Sequence, residues 1–424
     1  MLREKKRVAS LFGLAAVIAF SMPALAASPE DTARAALANS PIVDGHNDVP
    51  EQVHDRFGND LTKFDFRDTS GTATADKKAM HTDLTRLKKG MVGGQFWSVY
   101  VPAGLSDAES VKQVTEQIDV VERLVARHPQ EMMLARTAAD IETGFKTHRI
   151  ASLIGMEGGY SIGSSLGVLR AMYRAGARYM TLTHFKTTNW ADSATDDPKF
   201  DGLAPFGVSV VKEMNRLGML VDLSHVSEAT MNDALDVATA PVIFSHSGAR
   251  AIDHHPRDVS DAVLKRLPAN GGIVMVVFAP AYVSEAARLY AGDVSAEEKR
   301  QGYLHIGDPA GAKAALAAWV KDHPAPHATV AQVADHIDHI RSVAGIDHIG
   351  LGSDFDGIDT IPDGLEDVSK YPNLFVELAR RGYSQTDLEK ISSRNIIRVL
   401  RGAEAAAAKM KDVPPGETPV PSEH

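Results

Sequence analysis

Short β-branched runs alternate with helical stretches along almost the whole chain, and this alternation constrains the fold most. The runs are 41–44, 93–101, 150–156, 179–183, 219–223, 241–245, 272–278 and 348–352. From the fourth onward each is entered from a helical pattern, several of them through a Gly stop such as Gly176 or Gly218. Strands that follow one another through helices run parallel, because the helix carries the chain back to the same end of the sheet. Eight such units predict a (β/α)8 TIM-like barrel with long crossover insertions. A doubly wound open sheet shares the period and is the structural alternative.

The residues at the strand ends bear on that choice. The first run leads into His46-Asn47-Asp48, the third into Glu157, the fourth into His184, the fifth into His225, the sixth into His246 and the eighth into Asp354. In a barrel the C-terminal strand ends converge on one mouth, where active sites sit. A single His in such a place is usually a loop residue. Six of eight strands carrying a His, Asp or Glu at the same edge point to a site.

Those residue types suit divalent metals. His46 and Asp48 alternate along an extended segment, so both face one way and can hold one cation. His225 and His246 can hold a second, since imidazole and carboxylate suit zinc and similar ions. Glu157, between the two groups, has two oxygens and can bridge ions about 3.5 Å apart. Two ions sharing a water lower its pKa enough to give hydroxide near neutral pH, a nucleophile for a carbonyl or phosphoryl centre. His184 and Asp354 are left to stabilise an oxyanion and move a proton. His254-His255-Pro256 reads as a polar loop. Asp335, His336, Asp338 and His339 read as the solvated face of a helix. The glycines at 155, 158 and 159 read as close packing around Glu157. Walker and dinucleotide-binding motifs are absent from the sequence.

Composition narrows the function further. The chain has no Cys among its 424 residues, which excludes disulfides, thiolate metal sites and thiol nucleophiles. A formal charge of −10 argues against a nucleic-acid partner. Residues 1–26 carry four basic residues, an apolar stretch and Ala24-Leu25-Ala26, the pattern of a cleaved signal peptide. An exported protein, periplasmic or secreted from a bacterium, without a membrane anchor, is the expectation. Residues 27–410 form one catalytic domain, and 411–424, with four Pro, read as a disordered tail.

The sequence also resembles the membrane (renal) dipeptidase family within the amidohydrolase superfamily of metal-dependent barrels. The resemblance rests on DGHNDVP at 44–50, TDLTRLKKGMVGGQFWSVYVP at 82–102, GMEGG at 155–159, LTHFKTTNW at 182–190, GMLVDLSH at 218–225, PVIFSHSGAR at 241–250, GSDFDG at 352–357 and GLEDVSKYPNL at 364–374. It covers about residues 36–402. Superfamily relatives usually carry H-x-H where this chain has His46-x-Asp48. The resemblance implies a (β/α)8 fold, two zinc ions and hydrolysis of free dipeptides, with D-residues accepted at the C-terminal position. It implies His46 and Asp48 as ligands of one metal, His225 and His246 as ligands of the other, and Glu157 as the bridge. It further implies His184 at the scissile carbonyl, Arg257 at the substrate carboxylate, and Asp354 at the proton and the substrate amine. The family's mammalian members use disulfides and a lipid anchor, which this chain lacks the residues for, and the stretch 280–330 has no clear counterpart. An N-acyl-amino-acid or lactone hydrolase on the same metals, and more remotely a periplasmic solute-binding protein, are the competing functions. A homodimer is a candidate assembly.

Overall fold

The computed structural model describes residues 27–417; the expected signal peptide lies outside the described residues. Nine parallel strands form its sheet: β1 (Ile42–Asn47), β2 (Val92–Tyr100), β3 (Met132–Leu134), β4 (Ile150–Glu157), β5 (Ala177–Thr181), β6 (Leu220–Asp222), β7 (Ile243–Ser247), β8 (Ile273–Val276) and β9 (Ile349–Leu351). Pairing runs β2-β1-β9-β8-β7-β6-β5-β4, and β2 pairs β4 from Gly94–Ala151 to Tyr100–Glu157, so eight strands close on themselves. This is a (β/α)8 barrel. The open-sheet alternative fails because no edge remains at β2 or β4.

The ninth strand, β3, has no counterpart among the eight expected runs. It pairs with Ile150–Ser152 at the start of β4, on the edge that β5 takes over from Ile154. Three residues are too short to show a period in the sequence.

Layering inside the barrel explains where polar chemistry can begin. Val43, Phe96, Leu153, Tyr179, Leu220 and Ile243 belong to one buried cluster filling the lower interior. Ile396, Ile397 and Leu400 of the C-terminal helix Asn395–Lys409 join that cluster and plug its floor. Side chains alternate along a strand, so two residues further on the same faces carry Ser98, Gly155, Thr181, Asp222 and Ser245. A polar layer thus stands on an apolar one, and the site rests on the polar layer.

The stretch 280–330 is largely helical. It folds into the helices Glu285–Leu304 and Pro309–Asp322, followed by the crossover helix Val330–Val343. The helix Pro309–Asp322 buries none of its residues. No helix among the described residues is long and apolar enough to cross a membrane. Of the tail, 411–417 lies against the helix Pro205–Leu217, where the Gly416 N–H donates to Glu213 Oε2 at 3.1 Å; 418–424 lie outside the described residues.

One expectation needs correcting. His336 does not face solvent. Val333, His336, Ile337 and Ile340 form the inward stripe of their helix, and His336 is fully buried. The pattern hid this because a His on a 3.6-residue stripe counts as polar. The neighbouring Asp335 and Asp338 do face outward and pair with Arg381 at 2.6 and 2.8 Å.

Candidate active site

Glu157, at the last position of β4, is the centre of the site. Its two oxygens face different partners. Oε2 lies 3.4 Å from His46 Nε2, which lies 3.4 Å from Asp48 Oδ2. Oε1 lies 3.1 Å from His225 Nε2 and 3.3 Å from His246 Nε2, with His184 Nε2 at 3.8 Å. Asp354 completes a group with His46 and Asp48, the candidate ligand atoms of each group lying within 4.8 Å of one another. Every metal-ligating residue expected from the sequence is therefore in one cluster, and His184 and Asp354 are beside it.

Local structure aims these side chains at the cluster. Asp48 stands at the N-cap of the helix Val49–Phe57, where an Asp normally accepts a backbone N–H. Here it makes no capping bond, and both of its buried carboxylate oxygens lack a hydrogen-bond partner. His225 and Asp354 sit in left-handed backbone at φ 66° and 67°. Residues with side chains rarely adopt that region, and such strain concentrates at functional sites. The loop bearing Asp354 is tied back to β1: Asp44 accepts from the Ser353 N–H and hydroxyl at 2.8 and 2.7 Å, and the Asp354 N–H donates to the His46 carbonyl.

His46 is oriented from behind. Its Nδ1 lies 2.9 Å from the Tyr179 hydroxyl, which itself donates to the Gly45 carbonyl at 3.1 Å. The Tyr179 ring fits only because residue 155 is glycine. A Cβ there would lie 2.0 Å from the ring. The glycine at 155 is thus close packing that serves a ligand; that at 159 abuts Trp190 and the Leu182 carbonyl.

The electrostatics follow from burial and from this crowd of carboxylates. Burial, reinforced by Arg257 and neighbouring imidazoles, holds His225 and His246 well below the usual range, so each keeps a free lone pair at neutral pH. Burial alone would push Glu157 up, but His46, His184 and the other imidazoles hold it well below the carboxylate range. Burial works against charge on His46 too, yet Tyr179, Asp48 and Glu157 lift it well above the imidazole range. A cation is wanted at that point, and a proton supplies the charge when a metal does not. Asp354 is pushed well up, by burial first and by Asp48 and Glu157 after it.

The cluster opens into a cavity of about 420 Å³. Its walls include Glu51, Tyr100, Phe185, Tyr282 and Ile358, none of which sequence reasoning singled out. Tyr100 ends β2 and packs edge-on to His184 at 4.6 Å between ring centroids. The strand-end rule that found the His and acidic residues would have found it had aromatics been admitted. Glu51 follows Asp48 by three residues, and burial with Asp48 and Asp55 raises it to about 9. Arg257 is fully buried and does not line the cavity; its Nη atoms donate to Ser247 Oγ and the His246 carbonyl, both at 2.6 Å. His254 is exposed, while His255 packs against Tyr282 at 4.7 Å between ring centroids.

The sequence profile of the membrane dipeptidase family, peptidase family M19, matches residues 30–413. The chain belongs to this family. It is 39% identical over 401 residues to an uncharacterized dipeptidase of Schizosaccharomyces pombe, covering 91% of this chain and 87% of that one. It is 38% identical over 387 residues to the dipeptidase verJ of Clonostachys rogersoniana, covering 89% and 87%. Among solved structures it resembles the probable dipeptidase PvdM of Pseudomonas aeruginosa, with a TM-score of 0.75, 23% identity, and 89% and 99% of the two chains covered. It also resembles a metallopeptidase of Rhodobacter sphaeroides liganded with a phosphinate mimic of L-Ala-D-Ala, with a TM-score of 0.69, 22% identity, and 86% and 99% covered. The family assignment makes the chain a dipeptidase-type hydrolase, and the structural likenesses agree on the fold. The donor set fits a metal on its own terms, since buried His46 Nε2 and both Asp48 oxygens have no other partner.

Proposed function

We propose that this member of the membrane dipeptidase family hydrolyses free dipeptides with two divalent ions, zinc in the first instance. The carrying observation is the split of Glu157, one oxygen toward His46 and Asp48, the other toward His225 and His246. Bound there, the ions would supply Lewis acidity and an acidified water for attack on the amide carbonyl.

The remaining work falls to the chain's own side chains. His184, kept neutral by burial, can donate to the carbonyl oxygen as charge develops on it. The raised Asp354 carboxyl can take a proton and pass it to the leaving amine, which is a poor leaving group without one. Arg257 is assigned to the substrate carboxylate by its motif. Its two Nη bonds also hold the end of β7, so it serves the carrier of His246 as well. Acceptance of a D-residue at the C-terminal position is supported by the ligand of the Rhodobacter sphaeroides relative. Export through residues 1–26 rests on the sequence.

The test is turnover by zinc-loaded and chelator-stripped protein on L,L-, L,D- and D,L-dipeptides, their amides and N-acyl-amino acids. Free dipeptides should be cut, amides poorly, and stripping should abolish activity until metal returns. Full activity without metal, or a preference for N-acyl-amino acids, would overturn the reading.

A further inference from the structure

A neutral imidazole offers a lone pair from one ring nitrogen only and carries its proton on the other. His246 reaches Glu157 with Nε2, so a useful lone pair there requires the proton on Nδ1. His246 Nδ1 lies 2.8 Å from Ser245 Oγ. That hydroxyl has one proton to give, and Ser245 Oγ also lies 2.6 Å from Asp222 Oδ2. Asp222 gathers donors only. Thr181 Oγ1 reaches Oδ2 at 2.5 Å, and the Ser224 and Ser245 N–H groups reach Oδ1 at 3.1 and 2.8 Å. A carboxylate so surrounded accepts and does not donate. The Ser245 proton is therefore committed to Asp222, and its oxygen is left to accept from His246 Nδ1–H. Asp222 and Ser245 are fully buried and His246 is 1% exposed, so water has no access to scramble the order.

We infer that Asp222, acting through Ser245, locks His246 in the Nδ1–H tautomer and so leaves its Nε2 lone pair free for a cation shared with Glu157 and with His225, whose Nε2 lies 3.0 Å away. Asp222 and Ser245 are positioning residues. This rests on the metal reading of the cluster. Three adjacent strands share the device, since Thr181 ends β5, Asp222 ends β6 and Ser245 lies in β7. His225 has no such support, because its buried Nδ1 lacks a hydrogen-bond partner.

The geometry makes Asp222→Asn a reversal rather than a deletion. Two backbone N–H groups hold Oδ1, so the amide oxygen must stay there and the NH₂ must take the place of Oδ2. That NH₂ then donates to Ser245 Oγ, and the hydroxyl proton swings to His246 Nδ1. His246 is forced into the Nε2–H form, and its ligand nitrogen is blocked. Ser245→Ala removes the link, and Ser245→Thr keeps it.

The experiment combines two readouts on each variant. The first is the His246 tautomer in metal-free protein, from ¹⁵N-labelled imidazole NMR assigned with His246→Gln. The second is zinc affinity by chelator competition. Wild type and Ser245→Thr should show Nδ1–H. Asp222→Asn should show Nε2–H and hold one zinc about 10–100-fold more weakly, the usual cost of losing a ligand's outer hydrogen bond. Ser245→Ala should lose the Nδ1–H preference and weaken the same zinc, and it decides the matter if Asp222→Asn fails to fold. An Nε2–H tautomer in wild type, or unchanged tautomer and affinity in Asp222→Asn or Ser245→Ala, would overturn the inference. Failure of wild type to bind zinc would instead sink the metal reading, since the tautomer readout needs no metal.

Discussion

His336 should make the protein's stability fall between pH 6.5 and 4. Its Nδ1 accepts the Ala249 N–H at 2.8 Å, and its Nε2–H donates to the Val283 carbonyl at 3.1 Å. The first bond requires the neutral ring, because a protonated Nδ1 cannot accept; the second is compatible with either form. Burial pushes its pKa down to about 4. In the unfolded chain the value returns to about 6.5. Above 6.5 neither state binds the proton, and the full contribution is present. Below 6.5 the unfolded state binds it and the folded state does not, so stability drops as pH falls. The loss ends near pH 4, where the folded state also protonates. A gap of about 2.5 units at about 1.4 kcal/mol each comes to about 3 kcal/mol. Other groups titrate in this window, so the quantity to read is a difference. Urea unfolding of wild type and His336→Gln at matched pH cancels the groups the two share. The advantage of wild type should be largest above pH 6.5 and shrink by about 3 kcal/mol by pH 4. A difference that stays flat would refute the claim that a neutral buried ring is held there.

Two further outcomes follow from the site. Gly155→Ala puts a methyl 2.0 Å from the Tyr179 ring, so it should cost about 1–3 kcal/mol in denaturant unfolding and weaken metal at the His46 side; wild-type values for both would contradict the packing argument. Asp354→Asn should keep its metal but lose about 10²–10⁴ in kcat on a dipeptide, with metal content and turnover read on one sample; normal turnover, or a loss explained by lost metal, would remove the proton role.

The fold was legible because parallel strands entered from helices are written in short β-branched runs, and the ligands were legible because they stand at strand ends. Glu157 is in fact the last residue of its strand, and His46 and His246 are the last but one of theirs, rather than the first of their loops. Whatever works through a second residue was not legible. Tyr179 reads as an ordinary barrel aromatic, and Asp222 as a strand-ending acid with no particular partner. Only closure of the barrel brings Asp222 to Ser245 and Tyr179 to His46. His336 was misread for the related reason that its partners, Ala249 and Val283, are distant in the chain. Within 285–322 the helical character of 310–323 was legible from its alanine-rich run, whereas the helix Glu285–Leu304 escaped, since the residues it buries, Ala287, Glu297 and Gln301, make no apolar stripe.

The central claim is that Glu157 joins two metal sites, and zinc titration of wild type beside Glu157→Gln tests it most directly. Wild type should bind two zinc ions per chain, and Glu157→Gln should weaken both, because the amide loses the charge and one good ligand oxygen. A single ion in wild type, or two ions held by Glu157→Gln with unchanged affinity, would contradict it.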